Sequence, residues 1–189
     1  MHFEETTLPG VVILTPRRFA DDRGFFSETW NSDTLSKLGI DTPFVQDNHS
    51  YSKAINTVRG LHYQSPPHAQ AKLVRVVRGS VLDVAVDLRQ GSPHFGQWVG
   101  VELSADNGRQ LYIPAGFLHG FVTQEEHTEV FYKCSDFYAP DYDGSIAFDD
   151  PDLNISWGVS REHAVLSQKD AIAPRLAAVR SPFEFEFAP

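Results

Sequence analysis

The chain has 189 residues, of which 41% are hydrophobic and 22% are charged, and its formal net charge is -9. This is typical of one globular domain over 1–189, and no apolar run approaches the ~20 residues of a membrane helix. A chain with this negative charge is not expected to have the broad basic surface that binds nucleic acid. Because Cys134 is the one cysteine, an internal disulfide and a cysteine zinc site are excluded.

The amino-terminal part carries two readable signals. Residues 1–5 lack the basic stretch and apolar segment of a secretory signal, so we expect a cytoplasmic protein with no membrane partner. Further along, the cap signal Asn31-Ser32 predicts a short helix that carries Leu35 and Leu38 on one side and ends at Gly39.

Short runs of β-branched and aromatic residues, bounded by turn formers, recur through 11–134 and indicate an antiparallel sandwich or barrel. The clearest strand is predicted at 81–88, where alternation of apolar residues has the period of a half-buried strand. Residues 72–77 are predicted to pair with it across the turn Arg78-Gly79-Ser80. One face of that partner carries Lys72, Val74 and Val76, so we expect Lys72 to point inward.

Two stretches, 64–68 and 138–142, have the composition of loops, and no repeat or linker indicates a second domain. In the tail after Trp157, the segment Ser167-Gln168-Lys169-Asp170 predicts a turn or short helix that packs on the barrel.

Ionisable residues stand among apolar neighbours in three segments: 58–64 with Arg59 and His62, the Lys72 strand, and 113–121 with His119. The pattern Pro-x-Gly-x-x-His in the third segment resembles the second motif of the cupin superfamily. We therefore predict a mainly β fold, a cupin-type double-stranded β-helix or jelly-roll barrel with a few short helices.

The same comparison argues against a metal or another cofactor. The usual first cupin motif supplies two closely spaced histidines and a glutamate, whereas this chain has His62-Tyr63-Gln64 followed by Lys72. A protonated lysine has no lone pair for a metal, and transition-metal sites generally need three or more protein ligands. A metal-dependent cupin is the alternative, and it predicts bound iron, manganese or zinc.

Without a metal, His62 is a candidate base, although a lone histidine is more often a structural residue bonded to a carbonyl. Burying the ionisable residues of these three segments would be costly without a ligand. The sequence therefore predicts a polar cavity that suits a small anionic ligand. Arg59 and His62 fall on opposite faces of an ideal strand. They share this cavity only if Gly60 forms a bulge or the strand ends there.

The chain resembles the dTDP-4-dehydrorhamnose 3,5-epimerases along nearly its whole length. The matching segments are Asp22-Arg23-Gly24-Phe25-Phe26-Ser27-Glu28, Gln46-Asp47-Asn48-His49-Ser50, Arg59-Gly60-Leu61-His62-Tyr63-Gln64, Lys72-Leu73-Val74-Arg75-Val76, Asp83-Val84-Ala85-Val86-Asp87, residues 114–121 and Tyr132-Lys133-Cys134. The resemblance implies a metal-independent homodimer. It would invert C3 and C5 of dTDP-4-dehydro-6-deoxy-D-glucose, a dTDP-linked 4-keto-6-deoxyhexose, through an enolate to give dTDP-4-dehydro-L-rhamnose.

The resemblance also implies roles for individual residues. His62 is similar to the family's base, oriented by Asp170, and Tyr132 to the acid, although a tyrosine in this pattern is otherwise a sheet aromatic. Lys72, otherwise a surface lysine, would stabilise the enolate oxygen near His119. The implied substrate contacts are Arg23 and Arg59 to the pyrophosphate, then Phe19, Phe26, Glu28, Gln46, Asn48, Tyr138, Asp143 and Lys169. In this family the amino-terminal segment reaches across the dimer, so Arg23, Phe26 and Glu28 are expected in the partner's site.

Two departures from the family pattern leave narrower readings open. Asp143 stands where a glutamate is usual, and Leu118 where an alanine is common. One alternative is a single-site epimerase, acting at C3 or C5 of another dTDP-keto-deoxysugar. Another is a non-catalytic module that binds nucleotide sugars. The presence of the full candidate catalytic set argues against this module: His62, Asp170, Lys72 and Tyr132.

Overall fold

The computed structural model describes residues 1–185, so the last four residues of the predicted 1–189 domain lie outside the described part. Residues 1–185 form thirteen strands with a few short helical segments. The strands are β1 (His2–Glu5), β2 (Val12–Thr15), β3 (Phe19–Asp21), β4 (Gly24–Phe26), β5 (Gln46–Ser52), β6 (Val58–Gln64), β7 (Lys72–Arg78), β8 (Ser80–Asp87), β9 (Trp98–Ser104), β10 (Gln110–Ile113), β11 (Phe117–Thr123), β12 (Thr128–Cys134) and β13 (Asp143–Ser145).

Two antiparallel sheets face each other. The six-stranded sheet has the order β1-β2-β10-β7-β12-β5, and the five-stranded sheet has the order β13-β6-β11-β8-β9. A separate hairpin of β3 and β4 carries part of the amino-terminal segment. This is the predicted mainly β, cupin-type jelly-roll barrel.

The predicted hairpin between 72–77 and 81–88 is wrong. β7 pairs with β10 and β12, while β8 pairs with β9 and β11 in the other sheet. The turn at Gly79 carries the chain from one sheet to the other, with a φ of +75° and so little room that a Cβ would lie 2.4 Å from Thr128 Oγ1. A hairpin within one sheet and a turn that crosses between two sheets both join two strands with alternating apolar residues. The sequence pattern therefore could not distinguish these two arrangements.

β8 is also not half-buried as predicted, because both of its faces are covered. Val84 and Val86 pack outside the five-stranded sheet on a cluster that includes Phe148 and Trp157, and Ala85 packs between the two sheets. The carboxyl-terminal tail supplies the outer layer, and each large apolar side chain that it buries contributes about 1.5–3 kcal/mol. Leu176, Val179 and Phe183 are among the tail residues in this cluster.

The helix predicted after Asn31 is present as α1 (Ser32–Ser36), with Asn31 Oδ1 accepting a bond from the Thr34 N–H at 3.2 Å. Its buried residue is Leu35, and the helix stops three residues before Gly39. The tail forms α2 (Gln168–Ala171), which begins at a Ser167 cap. Within residues 1–185, no helix is long and apolar enough to span a bilayer.

Candidate active site

A polar cavity of about 410 Å³ opens between the two sheets, and we call it the main compartment. A second cavity of about 170 Å³, the side compartment, shares His62, Lys72 and Tyr132 with it. The base and acid candidates stand on opposite walls. His62 and His119 come from β6 and β11 of the five-stranded sheet, and Lys72 and Tyr132 come from β7 and β12 of the six-stranded sheet.

The geometry of Gly60 explains how Arg59 and His62 both line the main compartment. The pairing of β6 with β11 shifts by one residue between His62 and Arg59, and Gly60 has a φ of +123°. A Cβ on Gly60 would lie 2.6 Å from the Gly120 Cα, so only glycine fits. The bulge that allows Arg59 and His62 to face the same cavity is therefore present at Gly60.

We expect Gly60→Ala to lose both stability and activity, because the methyl group combines an unfavourable φ with a backbone clash. The strain alone costs about 1–3 kcal/mol, and the clash adds to it. Gly158→Ala is the matched control, since Gly158 also has a positive φ, +74°, but open space around it. Thermal unfolding and kcat of both variants test this, and equal losses of melting temperature would contradict the role given to the Gly120 contact.

His62 and Asp170 form a hydrogen-bonded pair, with 2.6 Å between His62 Nε2 and Asp170 Oδ1. Asp170 is 3% exposed, and its other oxygen accepts a bond from Ser167 Oγ at 2.8 Å. Burial by itself would raise the pKa of Asp170, but the bonds from His62, Ser167 and the Gly60 backbone outweigh it and hold that pKa below its ordinary value. With Nε2–H donated to a carboxylate, the lone pair of a neutral His62 lies at Nδ1.

Lys72 and Tyr132 face this pair from the other sheet. Burial lowers the pKa of Lys72, although the nearby Cys134, Asp83 and Asp143 oppose that change. Burial raises the pKa of Tyr132, so its phenol stays protonated at neutral pH. One wall of the cavity thus carries Lys72, whose charge is costly to bury, and Tyr132, which is a protonated acid. The opposite wall carries His62, which Asp170 orients.

His119 is paired with a carboxylate of its own, Asp83, which is not among the residues predicted from the sequence to be functional. Its Nε2 lies 2.7 Å from Asp83 Oδ1, and Asp83 is 0% exposed. Burial lowers the pKa of His119, with Asp83 working against this. Asp83 could have been recognised as an acidic residue within an otherwise apolar strand. Ser167, which also was not predicted as a functional residue, could have been recognised as a helix cap three positions before Asp170.

Arg59 gives the main compartment a positive charge near its polar wall. Its Nε donates to Ser52 Oγ at 3.2 Å and its Nη2 to the Tyr51 carbonyl at 3.0 Å, and both partners are neutral. Ser50, on the same cavity, has a buried hydroxyl without a partner in the described part of the chain. This region can therefore bind an anionic group of a ligand.

The side compartment contains the remaining predicted contacts of this protomer. Its walls include Gln46, Asn48, Tyr138, Asp143 and Lys169. Lys169 forms an ion pair with Asp143, and Gln46 Oε1 accepts a bond from the Tyr138 N–H at 3.0 Å.

Four predicted substrate contacts do not lie in this cavity, and one of them, Phe19, is exposed on the β3–β4 hairpin. Arg23 is 90% exposed and pairs with Asp21, Phe26 is exposed on the β3–β4 hairpin, and Glu28 accepts a bond from Asn31. The structure of one chain therefore does not bring them to its own His62.

No group of three or more His, Cys, Asp or Glu side chains among residues 1–185 is arranged to hold a metal ion. The two cavity histidines each face one carboxylate instead. That the protein uses no metal stays a prediction.

Comparisons with known proteins agree along the chain. The family profile described as dTDP-4-dehydrorhamnose 3,5-epimerase matches residues 5–178. The chain is 53% identical over 173 residues to the Salmonella typhimurium protein of that name, covering 91% of this chain and 93% of that protein.

Solved structures show the same likeness. The Bacillus anthracis dTDP-4-dehydrorhamnose 3,5-epimerase with TDP and PPi bound matches with a TM-score of 0.90 and 48% identity, over 93% of this chain and 99% of the other. The Legionella pneumophila dTDP-6-deoxy-D-glucose-3,5-epimerase in complex with dTDP-4-keto-L-rhamnose matches with a TM-score of 0.93 and 43% identity, over 99% of both chains.

Proposed function

The chain belongs to the dTDP-4-dehydrorhamnose 3,5-epimerase family, and we propose that it epimerises C3 and C5 of dTDP-4-dehydro-6-deoxy-D-glucose to give dTDP-4-dehydro-L-rhamnose. The observation that carries this proposal is the placement of the His62–Asp170 pair on one wall of a cavity whose facing wall holds Lys72 and Tyr132.

The first step in this proposal is proton removal by His62. Both C3 and C5 flank the C4 ketone, so their protons are acidic enough to leave when the resulting charge moves to the ketone oxygen. Neutral His62 takes the proton and becomes an imidazolium, which the Asp170 carboxylate stabilises through its 2.6 Å contact. The C–H electron pair forms the enolate, so the charge is balanced.

The second step returns a proton from the other face. Tyr132 belongs to the sheet opposite His62, so a ring bound between them presents one face to each. The raised pKa of Tyr132 keeps a proton on its oxygen until the carbanion carbon accepts it. Deprotonation on one face and protonation on the other invert the carbon, and exchange with solvent then resets His62 and Tyr132.

Lys72 is the cation for the enolate oxygen, and Arg59 is a ligand for the pyrophosphate. A buried ammonium interacts strongly with a charge that develops beside it, because little water is present to screen it. The guanidinium of Arg59 keeps its charge and can bind two phosphate oxygens at once. Tyr138, Gln46, Asn48, Asp143 and Lys169 line the side compartment, where they would contact the remaining parts of the nucleotide sugar.

The test is deuterium incorporation into dTDP-4-dehydro-6-deoxy-D-glucose in D₂O, with a chelator present and a protein-free sample as the blank. We expect deuterium at both C3 and C5, read by NMR. Exchange at one carbon only would identify a single-site epimerase and contradict the proposal. No exchange, with dTDP still bound, would identify a binding module. Activity that disappears with the chelator and returns with a metal would contradict the metal-free mechanism.

We also propose that the chain acts as one domain in a homodimer, with the β3–β4 region completing the partner's site. Arg23, Phe26 and Glu28 lie outside their own cavity, and the hairpin exposes Phe19, Phe25 and Phe26. Apolar side chains exposed together with an arginine are typical of a surface that another subunit or ligand covers.

Mixing two inactive variants tests this exchange. Arg23→Ala lacks the exchanged residue and His62→Ala lacks the base, so only a heterodimer can assemble a complete site. Random pairing makes half of the dimers heterodimers with one intact site each, so we expect about a quarter of the parent activity. Co-expression with two affinity tags isolates the heterodimer, and a mixture no more active than its components would show that Arg23 serves its own protomer.

A further inference from the structure

Asp83 is a buried acidic residue that the mechanism above does not use. It lies on β8, is 0% exposed, and makes one hydrogen bond, from His119 Nε2 to Oδ1 at 2.7 Å. Its Oδ2 is buried and has no hydrogen-bond partner in the part of the chain that the structure describes. A carboxylate in this setting keeps a strong field, since neither water nor a second donor weakens it.

The charges around Lys72 single out Asp83 as its uncompensated counter-charge. The charges of Cys134, Asp83, Asp143 and Lys169 act on Lys72. The other titratable groups of the two compartments are Arg59, His62, Tyr63, His119, Tyr132 and Asp170. Burial raises the pKa of Cys134 and so keeps the thiol neutral, and Asp143 already forms an ion pair with Lys169. Within residues 1–185, the side chain of Asp83 hydrogen-bonds only to His119, which burial keeps neutral near neutral pH. The charge of Asp83 is therefore the one left to act on Lys72.

The hydrogen bond from His119 to Asp83 also fixes which way the imidazole is protonated. With Nε2–H donated to the carboxylate, the lone pair of a neutral ring lies at Nδ1. His119 is then an acceptor for a hydroxyl or ammonium group in the main compartment, rather than a donor that competes for the ketone oxygen. Asp83 itself does not line the main compartment or the side compartment.

We propose that Asp83 is a positioning residue, which fixes the proton of His119 from behind and supplies the buried negative charge that keeps Lys72 an ammonium ion beside the substrate ketone. This inference rests on the proposed function, since it assigns a role within the same reaction.

The test is Asp83→Asn, which keeps the shape and an acceptor for His119 but removes the charge. Carboxylate partners behind metal-bound histidines are worth about 10–100-fold in activity. We expect a loss of kcat of similar size here, with KM changed less. Because Asp83 favours the charged form of Lys72, its removal lets Lys72 lose its proton at lower pH. The alkaline limb of kcat against pH should therefore move to lower pH, which a purely structural role would not produce.

The control is Asp87→Asn, a buried acidic residue on the same strand whose partners are Arg89 and Ser92. It should lose stability but leave the alkaline limb in place. NMR of isotope-labelled lysine gives a readout without substrate, with Lys72→Met used to assign the Lys72 signal. An unchanged Lys72 titration in Asp83→Asn would overturn the inference even if the parent protein is active, whereas an inactive parent with a shifted titration would overturn only the proposed function.

If Asp83→Asn fails to fold, the double variant with Lys72→Met decides the question. Removing the carboxylate leaves an ammonium without its counter-charge, and removing the lysine as well relieves that cost. We expect the double variant to fold and to show the cooperative melting transition that Asp83→Asn alone then lacks. A double variant that also fails to fold would show that Asp83 supports the barrel independently of Lys72, and the proposal would be wrong.

Discussion

His62→Ala should abolish proton exchange at C3 and C5 while the protein still binds dTDP. A positioned general base contributes about 10²–10⁴-fold. The other histidine of the main compartment, His119, is a weaker base, because burial lowers its pKa. The measurement is deuterium incorporation at both carbons, with dTDP affinity determined by calorimetry on the same sample. Arg59, the ligand proposed for the pyrophosphate, is unchanged by this substitution, so the affinity should stay within a few fold.

His94→Ala is the matched control, since His94 lies on the loop between β8 and β9 and bonds to Gln97. It should keep the activity of the parent protein. If His62→Ala exchanges protons within a few fold of the parent, His62 is not the base and the mechanism must be replaced. If it loses dTDP binding as well, the histidine has a role in binding that the mechanism does not include.

The sequence predicted the parts of this molecule that depend on local pattern. Alternation placed Lys72 on the inward face of its strand, the Asn31 cap located α1, and the Ser167 segment located the helix that carries Asp170. Each of these follows from the period of a strand or the hydrogen bonds of a helix end, which neighbouring residues determine.

What the sequence could not predict depends on contacts between distant segments. His62 and Asp170 are 108 positions apart in the sequence, so spacing could not predict their 2.6 Å contact. The family resemblance suggested it. The sheet change at Gly79 went unrecognised because a hairpin and a crossing turn share one local pattern. Asp83 was missed because its partner, His119, lies on a different strand, and only the register of β8 with β11 brings them together.

Lys72→Met should separate activity from stability, because the charge that serves the reaction is costly for the fold. Burial lowers the pKa of Lys72 below its value in the unfolded chain, so at neutral pH the ammonium makes a net unfavourable contribution to folding. Methionine is of similar length and carries no charge. We therefore expect kcat to fall by about 10²–10³-fold, the range for losing an oxyanion stabiliser. The melting temperature should change little, because relief of the desolvation cost of Lys72 is offset by the loss of its charge interaction with Asp83.

The size of the stability loss, compared with the loss of kcat, distinguishes the two roles that a lysine can have here. A structural lysine would lose stability on substitution, whereas a functional charge kept against its desolvation cost would not. Lys37→Met, at the exposed end of α1, is the control and should change neither kcat nor the melting temperature. If Lys72→Met unfolds at a clearly lower temperature and keeps its kcat, Lys72 belongs to the architecture of the barrel, and the enolate oxygen must be stabilised by another group in the cavity.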